Sequence, residues 1–304
     1  MKHLDFLHNN VWALGLVGIL FSFLFPAIGI LISPLLHILF MILMFLSTLD
    51  IKVHEVVKDI KRPKQTVITL AIIHLLSPLI VYAFKSFMDP DIYLGLILAA
   101  SVSSGVSVVF LTKIFGGEPT RSLVITTISN IISPVVVPLL IFLFAQKMVS
   151  VSPIDMSMTI VKLIIIPLIA AQIVARNKVW KKKISTYSTE TMLALLLIII
   201  IGIISPVRNY IMSNLLISLV LAGIVSILTV INFLAGYYLG KKAETKISYG
   251  ISASFKNFTL STVLALSLFS TTVALPAILY AVINSFLLIP MQWFIEGKSH
   301  NRSN

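Results

Sequence analysis

The sequence predicts an all-α membrane protein with ten transmembrane helices, and two observations carry this prediction. The chain has 304 residues, of which 58% are hydrophobic and 11% charged, with a mean hydropathy of +1.04. This composition is far from that of a soluble globular domain. Its Lys and Arg residues fall mainly in short segments between long apolar runs, as they do in the loops on one side of a membrane.

Ten apolar runs meet or approach the roughly 20 residues that a transmembrane helix needs. In the first half they are Val11–Phe25, Ile30–Leu49, Gln65–Phe84, Ile92–Phe115 and Arg121–Ala145. In the second half they are Met156–Ala175, Thr191–Ser205, Asn214–Leu239, Ile247–Phe269 and Thr272–Phe294. The first two spans are the least clearly separated, because only Pro26, Gly29 and Ser33-Pro34 interrupt the run, and nine spans are the alternative.

The distribution of basic residues predicts the orientation. When successive loops are assigned to alternate sides, eighteen of the 23 Lys and Arg residues fall on one side. That side is expected to be cytoplasmic. We therefore expect a protein of the plasma membrane with both termini in the cytoplasm. We interpret the basic loops as topology determinants without a binding role, and we expect no nucleic-acid partner. Lys2 precedes the first apolar run without a small-residue cleavage pattern, which favours a retained span.

Lys256 stands in a polar interruption, residues 251–259, inside the ninth span. A charge near the bilayer centre costs about 2.5 to 3.5 kcal/mol on insertion scales and usually marks a functional site. All 11 acidic residues lie in predicted loops or at span ends, so none can pair with it at mid-depth. Lys256 must then bind hydroxyls, Asn257, backbone carbonyls or an anionic substrate, or lose its proton. Lys162, near the end of the sixth span, can instead reach the interface.

The two halves of the chain show a related pattern. Small and polar residues at 101–107 in the fourth span and at 252–259 in the ninth are centred about 152 residues apart. Residues 1–150 and 151–304 would each contain five spans, and an odd number inserts the second half upside down relative to the first. We therefore predict two inverted repeats with discontinuous fourth and ninth helices that cross at a shared site, although small residues alone also serve helix packing.

Several segments resemble helices of the bile acid:sodium symporter family, and together they span most of the chain. The ninth and tenth helices of the family resemble residues 255–266 and 274–282. The fourth and fifth resemble a stretch that includes Gly105, Gly117-Glu118, Ser122, Thr126-Thr127, Ser129 and Ser133-Pro134. The resemblance implies a panel domain from the first, second, sixth and seventh helices, a core domain from the third to fifth and eighth to tenth, and sodium-coupled uptake of organic anions.

The family's sodium ligands carry over only in part. By resemblance, Ser122, Thr126 and Asn257 occupy ligand positions, whereas a Ser-Asn pair of the fourth helix is replaced by Val108-Val109. The ninth-helix glutamate and glutamine of the family are replaced by Ser252 and Lys256. The chain thus lacks a carboxylate and gains a fixed cation, so the only metal expected is sodium, with Ser122 and Thr126 retained.

These observations predict a secondary active transporter of a small organic anion that works by alternating access, with altered or absent sodium coupling. We hypothesise that the ammonium of Lys256 takes the place of a sodium ion through contacts to carbonyls and to hydroxyls such as those of Ser104, Ser107, Ser122 and Thr126. Transport would be proton-coupled if Lys256 titrates and facilitative if it does not. The candidate ion- and substrate-binding residues are Lys256, Asn257, Ser252, Ser254, Ser104, Gly105, Ser107, Ser122, Thr126 and Asn130.

Other classes of membrane protein fit less well. The related arsenite exporters depend on a membrane cysteine and this chain has none, whereas a proton-coupled or facilitative efflux carrier of auxin-carrier type remains the alternative. No zinc, nucleophile-elbow or paired-carboxylate motif indicates an enzyme, and no cofactor besides sodium is expected. His37 and His74 are interpreted as packed histidines. A channel would favour a symmetric ring, whereas we expect a monomer or weak homodimer in the bilayer.

Overall fold

The computed structural model describes residues 11–51, 63–145 and 151–300, which are almost entirely helical. The basic residues predicted at 52–62, together with Lys2, Lys147 and Arg302, lie outside the described residues. The helices of the first half are α1 Val11–Leu24, α2 Pro26–Thr48, α3 Pro63–Ala83, α4 Pro90–Ser101, α5 Val108–Ile114 and α6 Pro119–Ala145. Those of the second half are α7 Pro153–Ala175, α8 Lys178–Ser185, α9 Ser188–Ser213, α10 Leu215–Tyr237, α11 Ala243–Ser254, α12 Phe258–Leu268 and α13 Thr271–His300.

Every predicted span is largely helical, but the fourth and ninth are interrupted. Seven helices in the described part of the chain are long and apolar enough to cross a membrane, namely α2, α3, α6, α7, α9, α10 and α13. The predicted fourth and ninth spans are each divided into two shorter helices, α4 with α5 and α11 with α12. The helical membrane class is therefore confirmed, whereas the count of ten crossings stays a prediction.

Proline residues and a π turn interrupt the regular α-helical hydrogen bonding of the long helices. The first two spans separate at Phe25, and Pro26 occupies the first turn of α2, where its missing N–H costs nothing. The Ser33-Pro34 and Ser205-Pro206 motifs form single 3-10 turns within α2 and α9, and the helices continue on both sides. A π turn at Ile72–Leu76 interrupts α3, and its consequence appears at the functional site.

The helices pack in two groups. In one group α9 packs against α1 and α2, and α7 packs against α2. In the other, α10 packs against α11, α13 packs against α4 and α12, and α5 and α11 pack against α6. Contacts also join the two groups, because α6 packs against α7 and α13 packs against α1. The division into two domains, like the repeats at 1–150 and 151–304, stays a prediction.

Candidate functional site

The two helix breaks cross in the interior of the protein. The chain is non-helical at residues 102–107, between α4 and α5, and at residues 255–257, between α11 and α12. The two segments run antiparallel and pair Ser104 with Lys256. The amide of Gly105 donates to the Phe255 carbonyl at 2.8 Å, and the amide of Asn257 donates to the Ser103 carbonyl at 2.8 Å. We call these two segments the crossing. The hydrogen bonds between them replace part of the helical hydrogen bonding that each break removes.

Gly105 permits the close approach of the two backbones. A Cβ at this position would lie 2.9 Å from the Lys256 carbonyl oxygen and 3.3 Å from that of Phe255. Both neighbours are backbone atoms, and they are held by the bridge between the two segments. A side chain at residue 105 would therefore push the two segments apart.

We expect Gly105→Ala to lower the free energy of unfolding by about 1–3 kcal/mol, the usual cost of overpacking a tight interior. Gly223→Ala is the matched control, because a Cβ at Gly223 in α10 would meet no atom within 4 Å and alanine favours a helix. Thermal unfolding of both variants in detergent provides the measurement. Equal stability of the two variants would contradict the close approach at the crossing.

Hydroxyl groups connect the crossing to α6 and α11. The Ser104 hydroxyl donates to the Ser252 carbonyl at 2.9 Å and accepts from Thr126 Oγ1 at 3.4 Å. The Ser252 hydroxyl donates to Ser122 Oγ at 3.1 Å, and Ser122 is also hydrogen-bonded to Thr112 at 2.7 Å. Four of the sequence-predicted residues, Ser104, Ser122, Thr126 and Ser252, are thus brought together in one buried network.

Lys256 lies in this buried interior, and its ammonium bonds to a backbone carbonyl, a kind of partner that the sequence allowed without indicating which residue supplies it. The side chain is only 2% exposed, and Nζ donates to the carbonyl of Ile73 on α3. In the i+5 register of the π turn, the partner of this carbonyl would be residue 78, and Pro78 has no N–H. The local sequence of α3 thus frees a carbonyl for the lysine, whereas the predicted hydroxyl partners of Lys256 bond to other groups.

His74, the next residue on α3, stabilises the other break. Its ring is 3% exposed, with Nδ1 2.8 Å from the Ser101 carbonyl and Nε2 2.9 Å from Ser129 Oγ. Because a carbonyl only accepts, Nδ1 carries the proton, and Ser129 Oγ in turn accepts from the Ser104 amide at 3.2 Å. His74 therefore satisfies backbone groups on both sides of the break after α4. The sequence showed a histidine inside a span but gave no indication of this role.

Several buried polar atoms beside the crossing have no hydrogen-bond partner within the described protein. Asn257 Oδ1 caps α12 by accepting from the Leu260 amide at 3.1 Å, but its Nδ2 has no partner. The same holds for the hydroxyl of Ser103 and for Oδ1 of Asn130, which lies one turn beyond Thr126 on α6. Buried polar groups without partners cost about 1–3 kcal/mol each, and these three atoms are available to a polar ligand. Other unpartnered buried atoms lie elsewhere in the described chain, for example at Ser205 and Tyr280.

Comparison with known proteins agrees with this architecture. The sequence model of the Sodium Bile acid symporter family matches residues 37–214, which is more than half of the chain. The chain belongs to the Sodium Bile acid symporter family. It is accordingly a multi-pass membrane protein and a transporter, not an enzyme.

Two relatives of this family member come from Bacillus subtilis (strain 168). One, named "Uncharacterized sodium-dependent transporter YocS", is 28% identical over 280 residues, which cover 90% of this chain and 86% of the relative. The other, named "Uncharacterized protein YbaS", is 23% identical over 256 residues, covering 79% of this chain and 82% of the relative. The similarity thus extends across both broken helices.

The remaining predicted residues of this symporter-family protein lie near the crossing but have different surroundings. Ser254 Oγ donates to the Gly250 carbonyl of its own helix at 2.9 Å. Ser107 precedes α5, is half-buried, and its side chain does not cap that helix. The described residues contain no group of three His, Asp or Glu side chains that could hold a metal. The side chains of Ser122 and Thr126 are hydrogen-bonded to hydroxyl and carbonyl oxygens.

Proposed function

We propose that this protein carries a small organic anion across the cytoplasmic membrane by alternating access, with Lys256 as a tethered cation in place of a coupling sodium ion. The observation that carries the proposal is the burial of Lys256 at the crossing, where its ammonium contacts a backbone carbonyl of α3. All described carboxylates belong to residues that are predicted in loops or at span ends. A buried positive charge without a carboxylate favours a negatively charged partner.

The crossing also offers hydrogen-bond donors for an anion. The N-terminus of α12 begins beside Lys256, and the positive end of a helix stabilises negative charge. The unpartnered Nδ2 of Asn257 and the hydroxyl of Ser103 add donors. Oδ1 of Asn130 adds an acceptor. This combination suits a carboxylate that also bears a hydroxyl or amine group.

The tethered cation explains how the crossing is held together without sodium. An ammonium provides three N–H donors, and one of them binds the Ile73 carbonyl, an oxygen of the kind that a sodium ion would also bind. Because the lysine is covalently attached, its amine is present in every transport cycle. Uptake then needs no sodium gradient; if Lys256 gives up its proton during the cycle, transport is coupled to protons instead.

The arrangement of the helices supports movement between two groups. We assign α1, α2, α7 and α9 to a panel and the other membrane helices to a core, with both termini in the cytoplasm. A cavity of about 380 Å³ lies between α2, α9 and α12. At its edge His37 Nε2 is 2.6 Å from Ser267 Oγ, so α2 and α12 touch there. Making and breaking this contact would open one side of the substrate passage.

Transport in sodium-free buffer tests the proposal. A thermal-shift screen of small carboxylic acids selects a ligand, because a compound that binds the folded state raises the unfolding temperature by mass action. We expect uptake of that labelled acid into proteoliposomes to proceed at the same initial rate with potassium or choline in place of sodium. The pH dependence of the rate then separates proton-coupled from facilitative transport.

A strict requirement for sodium would contradict the tethered-cation mechanism. Absence of uptake can also result from inactivation of the protein during reconstitution. Stabilisation by the acid in detergent, measured on the same preparation in sodium-free buffer, distinguishes an inactive preparation from a sodium-dependent protein. Saturation of the uptake rate with substrate separates the carrier from a channel.

A further inference from the structure

The connection between α7 and α9 is a short basic helix with a fixed orientation. This helix, α8, starts after Asn177, whose side chain caps it by accepting from the amides of Val179 and Trp180 at 3.0 and 3.2 Å. It contains four lysines and one tryptophan. The sequence predicts only a basic loop here that sets the orientation in the membrane, whereas the structure shows a helix with a defined surface.

One face of α8 is fixed to the protein. Lys181 Nζ lies 3.3 Å from Asp50 Oδ1, just beyond the end of α2, and the Ser185 hydroxyl donates to the same oxygen at 3.0 Å. Ile184 on this face is partly buried against the main hydrophobic core. These contacts fix the rotation of α8, because three residues on one face are held at once.

The opposite face combines lysines with exposed apolar side chains. Val179 is 76% exposed and Trp180 is 57% exposed. Lys183 Nζ lies 5.8 Å from the centre of the Trp180 ring, a cation–π contact. Within the described parts of the chain, Lys178, Lys182 and Lys183 form no ion pair. These three lysines, Val179 and Thr186 line an open depression of about 480 Å³.

This chemistry matches a membrane surface. A tryptophan and an aliphatic side chain exposed beside lysines are typical of a helix at the headgroup layer of a bilayer. The cytoplasmic leaflet is rich in anionic lipids, and lysines attract their phosphates. We propose that the depression on α8, formed by Lys178, Lys182, Lys183 and Thr186, binds the headgroup of an anionic phospholipid, with Val179 and Trp180 in the interfacial layer.

This lipid site on α8 would be separate from the transport site at the crossing. The lipid would hold the connection between two panel helices at the membrane surface, and it would do so whether or not a substrate is bound. Inorganic phosphate from the cytoplasm carries the same charged group, and the experiment distinguishes it from a lipid headgroup.

Quenching of Trp180 fluorescence by brominated lipid tests this proposal. The full-length protein carries Trp12→Phe and Trp293→Phe, so that Trp180 is the single tryptophan. It is reconstituted in phosphatidylcholine nanodiscs doped with equal fractions of either brominated phosphatidylglycerol or brominated phosphatidylcholine. The mole fraction of brominated lipid is increased in the same steps for both lipids. We expect half-maximal quenching at a mole fraction of the anionic lipid roughly tenfold or more below that of the zwitterionic lipid, since each lysine near an anionic surface raises affinity about fivefold.

A matched pair of variants assigns the effect to α8. Replacing Lys178, Lys182 and Lys183 with Gln should abolish the preference for the anionic lipid. Replacing three other exposed lysines of the same membrane side, Lys64, Lys113 and Lys241, removes the same charge and should leave the preference intact. Thermal unfolding identifies a variant that fails to fold. In that case the single variants Lys182→Gln and Lys183→Gln take its place.

Three outcomes would overturn the proposal. Equal quenching by both lipids would mean that Trp180 merely enters the interface, without recognition of a headgroup. Absence of quenching by either lipid would place α8 away from the bilayer. Loss of the preference on addition of inorganic phosphate, at constant ionic strength, would show that the depression binds free phosphate instead of a lipid.

Discussion

Lys256→Ala is expected to reduce uptake of the organic acid by on the order of 10- to 100-fold, the effect of removing a charge-assisted hydrogen bond that contributes about 1.5 to 3 kcal/mol. The ammonium is buried at the crossing and holds the carbonyl of Ile73 on α3. Its removal takes away the positive charge that would receive the anion and leaves that carbonyl without its partner. Initial uptake rates in proteoliposomes provide the measurement.

Lys162→Ala is the control for this substitution. Lys162 is also a lysine within a membrane helix, α7, but its side chain is exposed. We expect wild-type uptake from this variant. Loss of uptake in both variants would indicate a general effect of charge removal. Full uptake by a folded Lys256→Ala protein would exclude Lys256 from transport.

The double variant Ser252→Glu, Lys256→Gln is expected to gain sodium dependence. By resemblance to the family, these two substitutions restore a carboxylate and an amide at positions that bind sodium. The Ser252 hydroxyl lies 3.1 Å from Ser122 Oγ, so a carboxylate at this position would join the hydroxyl oxygens of Ser122 and Ser104. Hard cations prefer such oxygen ligands. Uptake should become several-fold faster in sodium than in choline.

The two single variants provide the comparison. Ser252→Glu alone should remain independent of sodium, because the new carboxylate pairs with the Lys256 ammonium. Lys256→Gln alone should be slow in either buffer, because it lacks both the tethered cation and the carboxylate. Ser252 is fully buried, so unfolding temperatures are measured for all three. A folded, active double variant that remains indifferent to sodium would mean that Lys256 does not stand in for the ion.

Much of the fold follows from local composition. Apolar runs of sufficient length predict membrane helices wherever they occur, and each predicted span is largely helical in the structure. The two helix breaks were also predictable, because runs of small and polar residues at 101–107 and 252–259 weaken a helix from within. The depth of Lys256 follows from its distance to both ends of its span.

The partners of the site residues were not predictable from the pattern. The hydroxyls of Ser104, Ser107, Ser122 and Thr126 were expected to contact the lysine. In the structure, Ser104, Ser122 and Thr126 bond largely to one another and to Ser252. The ammonium reaches Ile73 instead, 183 residues away along the chain. Composition identifies which groups can donate or accept, but the pairing depends on the register of helices that meet only after folding.

The sequence by itself determined the membrane class, the place of the two helix breaks and the presence of a lysine inside the ninth apolar run, in which no carboxylate occurs. These properties depend on the type and spacing of neighbouring residues. Only the tertiary structure decided that the Ile73 carbonyl receives the ammonium of Lys256, that His74 stabilises the other break, and that Asp50 fixes α8. Each of these depends on contacts between segments far apart in the chain, and the three-dimensional packing of the helices alone sets those contacts.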